Sequence, residues 1–296
     1  MKKGENKFDH LKIINLFSKY KNATKVAIEV GCSSSTVGKI LFNNNIKPST
    51  TGDLLRTPVD EEFFKKIDTE HKAYWLGFMY ADGNIHENKG KSLRVSIGLD
   101  SKDTKHLEKF KESLKWEGTI RIYKRGIKAK RPDHYTSTIK IRSNKMGLDL
   151  IDKGCVIRKT LVATFPDFSK VPKSLIHHFI RGYFDGDGSV FISNEKHWRN
   201  GKISPVIHCR YIGTKNMMEK IAEITGFPAV VVKKYRNSNQ PNIYVIEIKR
   251  NPRCRKMMEF LYKDSTVYLE RKKEIFDQYF NIQGCSETII ANPKKD

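Results

Sequence analysis

The feature that most constrains this chain is a nine-residue segment that occurs twice. The first copy reads WLGFMYADG at residues 75–83, and the second reads IRGYFDGDG at residues 180–188. Each copy has a glycine at its third position and ends in a small residue followed by Asp-Gly. The repeat predicts two related halves, and the apolar run from Tyr74 to Ala81 predicts a motif helix that is buried between partners.

The residues after each copy also keep step. A Thr-Lys pair follows at residues 104–105 and 214–215, and alternating strand-like segments follow at residues 139–144 and 246–251. Between these landmarks each half is predicted to run helix, two strands, helix, two strands, helix. We therefore expect domains at residues 71–168 and 169–282, followed by a C-terminal tail at 283–296.

The two repeated segments are predicted to be helices that pack against each other. Gly77 and Ala81 lie four residues apart, as do Gly182 and Gly186, so each helix has small residues on one face. Two such faces can approach closely, which brings the ends of both helices together. The helices end at two aspartates, whose carboxylates would repel each other and the negative ends of the helix dipoles unless a dication lay between them. Mg²⁺ fits such a site, and a metal-assisted hydrolysis of phosphodiesters is the chemistry that it would support.

At these residues the chain resembles the LAGLIDADG homing endonucleases, in their single-chain form with two motifs. The resemblance covers residues 60 to 280 and implies an α+β fold of two pseudo-twofold-related αββαββα domains, with a saddle of strands against DNA. It implies a site-specific double-strand DNA endonuclease that leaves short 3′ overhangs and uses Mg²⁺, for which Mn²⁺ can substitute. The metal-binding acids would be Asp82 and Asp187, with the backbone carbonyls of Ala81 and Gly186 as further ligands.

The same resemblance implies a basic residue in the active site of each half. Lys159 and Lys272 stand at the matching places and are the predicted catalytic lysines, with Lys273 and Lys140 as competitors. The chain departs from the family pattern at the sixth motif position, which is Tyr80 in one copy and Asp185 in the other. We interpret this as a change at the helix interface. Arg181, at the second position, is also unusual, and the sequence leaves open whether it points outward or pairs with an acid.

Charge favours nucleic acid as the partner. The chain has 56 Lys and Arg against 33 Asp and Glu, a formal net charge of +23. Residues 1–47 are predicted to form a small helical domain, and the spacing of Ala27, Gly31 and Val37 resembles the helix-turn-helix family. A linker and lead-in helix would follow at residues 48–70. The predicted DNA contacts in this domain and on the strands are Ser34, Ser35, Thr36, Lys39, Arg94, Arg121, Lys124, Arg125, Lys140, Lys233 and Lys249.

The partner is expected to be double-stranded DNA with a long target site, pseudo-palindromic or asymmetric, bound by a monomer that needs no protein partner. The five cysteines form no C-x-x-C pair, which argues against a zinc cluster and favours a reducing compartment. No membrane segment is predicted. We expect a cytoplasmic, nucleoid-associated protein of a mobile element in a bacterial or phage-infected cell, with an organelle as the alternative.

Two other functions remain open from the sequence. The same scaffold with a helix-turn-helix could serve as a non-catalytic DNA-binding transcription regulator. It could also bind structured RNA, as a maturase that assists the splicing of a group I intron. Two retained carboxylates favour the endonuclease over the regulator, because a pure binder gains nothing from acids that repel phosphates.

Overall fold

The structure is a computed structural model that describes residues 8–20, 23–46, 57–87, 92–124, 135–155, 163–196, 199–226, 232–234 and 242–290. The chain divides into two compact units, at residues 1–58 and 59–296. Among the described residues, none of the helices combines the length and apolar composition that crossing a membrane requires.

In its described residues the first unit has three helices around a small apolar core. They are α1 (His10–Tyr20), α2 (Ala23–Val30) and α3 (Ser34–Asn43). Gly31 has a φ of +69°, so it supplies the left-handed backbone of the turn between α2 and α3. The hydroxyl of Ser33 caps α3 by accepting from the Thr36 amide at 3.1 Å. On α1, Ile13 and Phe17 are buried in this core, whereas Leu11 is 72% exposed.

The second unit begins with seven elements of regular secondary structure. They are α4 (Glu70–Ala81), β1 (Gly83–Glu87), β2 (Leu93–Asp100), α5 (Thr104–Ser113), β3 (Arg121–Lys124), β4 (Tyr135–Arg142) and α6 (Asn144–Asp152). A short 3₁₀ helix at Ser101–Asp103 precedes α5. Their strands form one antiparallel sheet, the first sheet, in the order β1-β2-β4-β3.

The remaining elements follow the same order. They are α7 (Ile176–Asp187), β5 (Ser189–Lys196), β6 (Ile203–Gly213), α8 (Lys215–Thr225), β7 (Val232–Lys234), β8 (Tyr244–Lys249), α9 (Arg253–Tyr262) and α10 (Glu270–Ile290). A 3₁₀ helix at Lys173–Leu175 leads into α7. The strands form the second sheet, also antiparallel, in the order β5-β6-β8-β7. Helices with two antiparallel sheets make the fold α+β, as predicted.

Each sheet has one buried face and one open face. On β2 the buried side chains Leu93, Val95, Ile97 and Leu99 alternate with Arg94 and other polar residues, so helices cover one face and the other meets solvent. On strand β3 all four side chains are exposed. It is an edge strand, at the end of the order β1-β2-β4-β3.

Candidate active site

The two repeated segments form helices α4 and α7, which touch through their backbones. A Cβ atom on Gly77 would lie 1.9 Å from the carbonyl oxygen of Phe179, and one on Gly182 would lie 1.9 Å from the carbonyl oxygen of Tyr74. Gly77 and Gly182 occupy the same motif position, and Tyr74 and Phe179 both stand one residue before the motif. The contact is therefore reciprocal, like one made across a twofold axis. Only glycine permits this approach.

The close packing brings the C-terminal ends of both helices together. A Cβ atom on Gly186 would lie 2.2 Å from the Cβ of Ala81 and 3.5 Å from the backbone nitrogen of Asp82. Asp82 is the C-cap of α4, and Asp187 is the last residue of α7. Both aspartate side chains are exposed. The structure thus places two carboxylates where a bound molecule can reach them, at the shared end of the motif helices.

Lys272 lies at the same end, beneath the acids. Its side chain is buried, and its Nζ donates to the carbonyl oxygens of Phe184 at 2.6 Å, Asp185 at 2.7 Å and Gly188 at 2.6 Å, with Gly186 at 3.3 Å. The ammonium therefore caps the C-terminal end of α7, where the helix dipole is negative. Burial lowers the pKa of Lys272 to about 8, although the charges of Asp185, Asp82 and Asp187 act in the opposite direction.

The other candidate lysines are placed differently. Lys159 lies outside the described residues. Lys273 binds Asp277 on its own helix, with Nζ 2.7 Å from Oδ2. Lys140 lies on the open face of the first sheet, exposed, with its Nζ 6.0 Å from the centre of the Tyr123 ring. Of the lysines that the structure describes at these positions, Lys272 is the one that caps a motif helix.

The donor set at the helix ends fits a small hard dication. Mg²⁺ takes one or two carboxylates and completes its octahedron with water and phosphate oxygens, so two aspartates are a sufficient protein contribution. In the described part of the chain, no group of three or more His, Cys, Asp or Glu side chains is placed to hold a metal ion. A closed, all-protein cage of such side chains is therefore not what these residues form. The carbonyl of Gly186 is shared with Lys272, which weakens it as a further ligand.

Asp185, at the sixth motif position, is a buried carboxylate with three donors. It accepts from the Tyr74 hydroxyl at 2.8 Å, the Tyr262 hydroxyl at 3.1 Å and the Leu269 amide at 2.8 Å. Burial raises its pKa, which the Lys272 charge and the three hydrogen bonds partly offset. Because Tyr74 gives its proton to Asp185, it accepts in turn from Nε2 of His106 at 2.9 Å. This network ties α7 to the segment that leads to Lys272.

Tyr80, at the sixth position of the first copy, makes one hydrogen bond. Its hydroxyl donates to the carbonyl oxygen of Lys153 at 2.7 Å, just beyond α6. Burial raises the pKa of Tyr80, so it stays a neutral donor. Both sixth positions therefore hold the chain that leaves the helix after the last strand of their own half, which is α6 in the first half and α9 in the second, one by donating and the other by accepting.

Arg181 pairs with an acid, which resolves the alternative that the sequence left open. The side chain is fully buried, and it donates to Glu70 at 2.5 Å, to the Val267 carbonyl at 2.9 Å and to the Leu261 carbonyl at 2.9 Å. Glu70 also accepts from the Thr266 amide at 2.7 Å and its hydroxyl at 2.9 Å. Burial alone would raise the pKa of Glu70, but the Thr266 hydrogen bonds and the Arg181 charge lower it overall.

The strand register sorts the DNA contacts predicted for the first sheet. Arg94 and Lys140 project from its open face, and Arg121 lies on the same face through its pairing with Thr138. Lys124 pairs with Tyr135 and so lies on the opposite face, where it is exposed. The sequence missed Arg142, which stands directly opposite Arg94 on the open face. Its alternation with Lys140 two residues earlier was the signal that could have found it.

The remaining predicted contacts fall into two groups. Lys249 is exposed on the open face of the second sheet, and on α3 Ser34, Ser35 and Lys39 are exposed while Thr36 is half-buried. Arg125 and the side chain of Lys233 lie outside the described residues. That these residues contact DNA stays a prediction.

Comparison with solved structures gives similar folds at low sequence identity. The fold is similar to that of LAGLIDADG homing endonucleases. I-GzeII in complex with its DNA target is 13% identical with a TM-score of 0.48, covering 75% of this chain and 92% of that one. I-LtrWI bound to target DNA is 12% identical with a TM-score of 0.48, covering 77% and 92%. I-SmaMI bound to uncleaved DNA with calcium ions is 13% identical with a TM-score of 0.48, covering 75% and 93%.

At these identities the likeness concerns the fold and carries nothing about activity. No protein-family model matches the chain, and no curated protein matches its sequence. Only the residues of the chain itself therefore indicate its chemistry.

Proposed function

We propose that this protein is a site-specific double-strand DNA endonuclease that hydrolyses phosphodiesters with a divalent metal ion, Mg²⁺ in the first place. The observation that carries the proposal is the reciprocal glycine contact, which delivers Asp82 and Asp187 to one exposed end of the helix pair. A packing role alone would need the glycines and the apolar residues but not two carboxylates there. Their mutual repulsion costs stability, and a bound cation would lower that cost.

Each group at the helix ends has a role in this proposal. Asp82 and Asp187 hold the ion, which when bound supplies an activated water and stabilises the leaving oxygen. Lys272 is a positioning residue: its ammonium donates hydrogen bonds to the carbonyl oxygens at the end of α7 and so fixes the backbone that carries Asp187. Because it is buried with its protons donated to carbonyls, it does not serve as a proton donor to DNA in this arrangement.

The open faces of the sheets are proposed to hold the DNA on either side of this centre. Arg94, Arg121, Lys140 and Arg142 give the first sheet a row of cations that can neutralise phosphates or donate to base edges. We further propose that the halves, residues 71–168 and 169–282, are a pseudo-twofold αββαββα pair. Such a pair would present one acid to each strand and leave short 3′ overhangs at a long target site.

The first unit is proposed to be a helix-turn-helix module that adds DNA contacts. The support is its turn glycine, the cap on α3 and the exposed polar face that carries Ser35 and Lys39. In the full-length chain, Lys39→Gln should weaken binding about equally on all sequences and lower the slope of affinity against salt by about one. An unchanged salt slope would remove Lys39 from the interface.

Cleavage of a plasmid library with a randomised insert tests the proposed activity. Full-length protein is incubated with Mg²⁺ or with Ca²⁺, and the ends of linearised molecules are sequenced. Defined ends with 3′ overhangs in Mg²⁺ alone are expected. Selective binding without ends would favour a transcription regulator, and neither binding nor ends would leave the maturase role, which a group I intron splicing assay then measures.

A further inference from the structure

Arg210 projects from the middle of the open face of the second sheet. It lies on β6, a central strand, directly opposite Ser189 on one side and Glu247 on the other. Its side chain is 30% exposed, so the guanidinium can reach a molecule lying on the sheet. The sequence alone did not single it out.

The guanidinium of Arg210 is restrained from two directions. Its Nη2 donates to Oε1 of Glu247 at 2.7 Å, and its Cζ lies 5.5 Å from the centre of the Phe191 ring. Phe191 is itself stacked on His208, with ring centres 4.6 Å apart and planes at 9°. His208 is held in turn, with Nε2 2.7 Å from the Ser193 hydroxyl. A planar fork fixed this way loses little conformational entropy when it binds.

The two open faces differ in how their cations are balanced. In the described strands of the first sheet, four basic residues share the open face with one acid, Asp100. In the second sheet Arg210 and Lys249, with Lys233 on the same face by its register, share it with two acids, Glu247 and Glu195. Glu195 Oε1 lies 3.6 Å from Lys249 Nζ and 3.3 Å from His208 Nε2. A face with its cations already paired gains little from phosphates, because counterion release needs unpaired positive charge.

We propose that Arg210 is a specificity-determining residue that reads a guanine in the major groove, with Glu247 and the Phe191–His208 stack as its positioning groups. This inference rests on the proposed DNA-binding function, and it adds the place on the protein at which the DNA sequence is read. An arginine side chain carries five N–H donors, and the one given to Glu247 leaves enough for a bidentate contact to O6 and N7 of guanine. On the described open face of the first sheet four basic residues stand against one acid. That sheet therefore supplies affinity with less demand on base identity.

The test is selection of bound sequences from a randomised double-stranded DNA library in Ca²⁺, with full-length wild type, Arg210→Lys, Glu247→Gln and Arg255→Lys. Arg210→Lys keeps the charge and loses the fork, so one guanine position should lose about tenfold or more of its preference. The salt slope should not change. Glu247→Gln should weaken the same preference while raising affinity for random DNA. Arg255→Lys is the matched control on α9, where the guanidinium carbon lies 4.3 Å from the centre of the Phe280 ring, and it should leave all base preferences in place.

Three results would overturn the inference. Arg210→Lys selecting the wild-type site with unchanged guanine frequency would do so while leaving the DNA-binding proposal intact. So would an equal loss of base preference in Arg255→Lys, since the loss would then not depend on the position of Arg210 on the sheet. A wild-type protein that enriches no sequence would instead sink the proposed function, and the inference with it. Glu247→Gln losing preference at the Arg210 position would support it even if Arg210→Lys proved unstable.

Discussion

The two motif helices share a backbone contact and differ in the side chains around it. At the third position both have glycine, and at the eighth both have aspartate. At the second position α4 has Leu76 where α7 has the buried Arg181, and at the sixth α4 has Tyr80 where α7 has Asp185. The two halves therefore have in common the close approach of the helices and the placement of the acids. The side chains that differ, Tyr80 in the first half and Arg181 and Asp185 in the second, bind the connecting segment of their own half.

The connecting segments explain why those side chains diverge. In the second half, Arg181 and Asp185 bind backbone groups of residues 261–269, which lead into α10 and Lys272. In the first half Tyr80 reaches a single carbonyl, that of Lys153. Buried charged side chains therefore occur in the half where they hold the segment that leads to Lys272.

The largest expected effect tests the shared contact. Gly77→Ala and Gly182→Ala should each destabilise the second unit by about 4 kcal/mol or more, because the added methyl meets backbone that side-chain rotation cannot relieve. All three tryptophans lie in the second unit, so tryptophan fluorescence in a urea titration follows its unfolding. The two losses should be nearly equal, since the contacts are reciprocal.

Gly98→Ala on β2 is the matched control for both glycine variants. A Cβ there meets Thr138 Oγ1 at 3.5 Å, an ordinary contact, so a change within about 1 kcal/mol is expected. A tolerated Gly77→Ala would show that the helices are further apart than described. Strongly unequal losses in the two motif variants would break the symmetry of the contact.

The next effect tests the divergence at the second position. Arg181→Leu installs the kind of residue that α4 has there, and should cost about 3 kcal/mol because Glu70 and two carbonyls lose a buried donor. Lys72→Gln is its control, since it breaks the partly exposed pair with Asp68 and should have a much smaller effect. Equal urea midpoints for wild type and Arg181→Leu would mean that this ion pair does not hold the segment.

The sixth position should show a smaller and unequal effect. Asp185→Asn disturbs three donors and should cost about 2 kcal/mol, whereas Tyr80→Phe frees one carbonyl and should cost about 1 kcal/mol. Urea titrations of both variants measure the difference. If Tyr80→Phe proved the more damaging, the second half would not depend on Asp185 as described.

Acidification should weaken the network around Asp185 through His106, which bonds to Tyr74. Burial lowers the pKa of His106 to about 3 from an ordinary 6.5, so His106 stays neutral when folded and protonates when unfolded. Its contribution is present above pH 6.5 and is lost as pH falls toward 3, at about 1.4 kcal/mol per pH unit at most. His106→Gln should remove this slope from the unfolding free energy measured between pH 7 and 5. A parallel pH dependence in wild type and variant would contradict it.

The sequence predicted what the repeat encodes and missed what lies between the repeats. Gly77, Gly182 and the two acids recur in register, so helix approach and the shared end could be deduced from spacing. The partners of Arg181 and Asp185 could not, because Glu70 and Leu269 are distant in sequence and meet them only after folding. Lys272 was found by position, but its burial against the α7 carbonyls depends on tertiary packing that no local pattern shows.

The most direct test of the central claim is the cleavage rate of Asp82→Asn and Asp187→Asn, each at saturating concentration on a site recovered from the plasmid library. With Mg²⁺ each variant should lose at least about a hundredfold in rate while its DNA affinity in Ca²⁺ stays close to that of wild type. That result would place both carboxylates in one hydrolytic centre. A variant that cuts both strands at the wild-type rate would contradict the account.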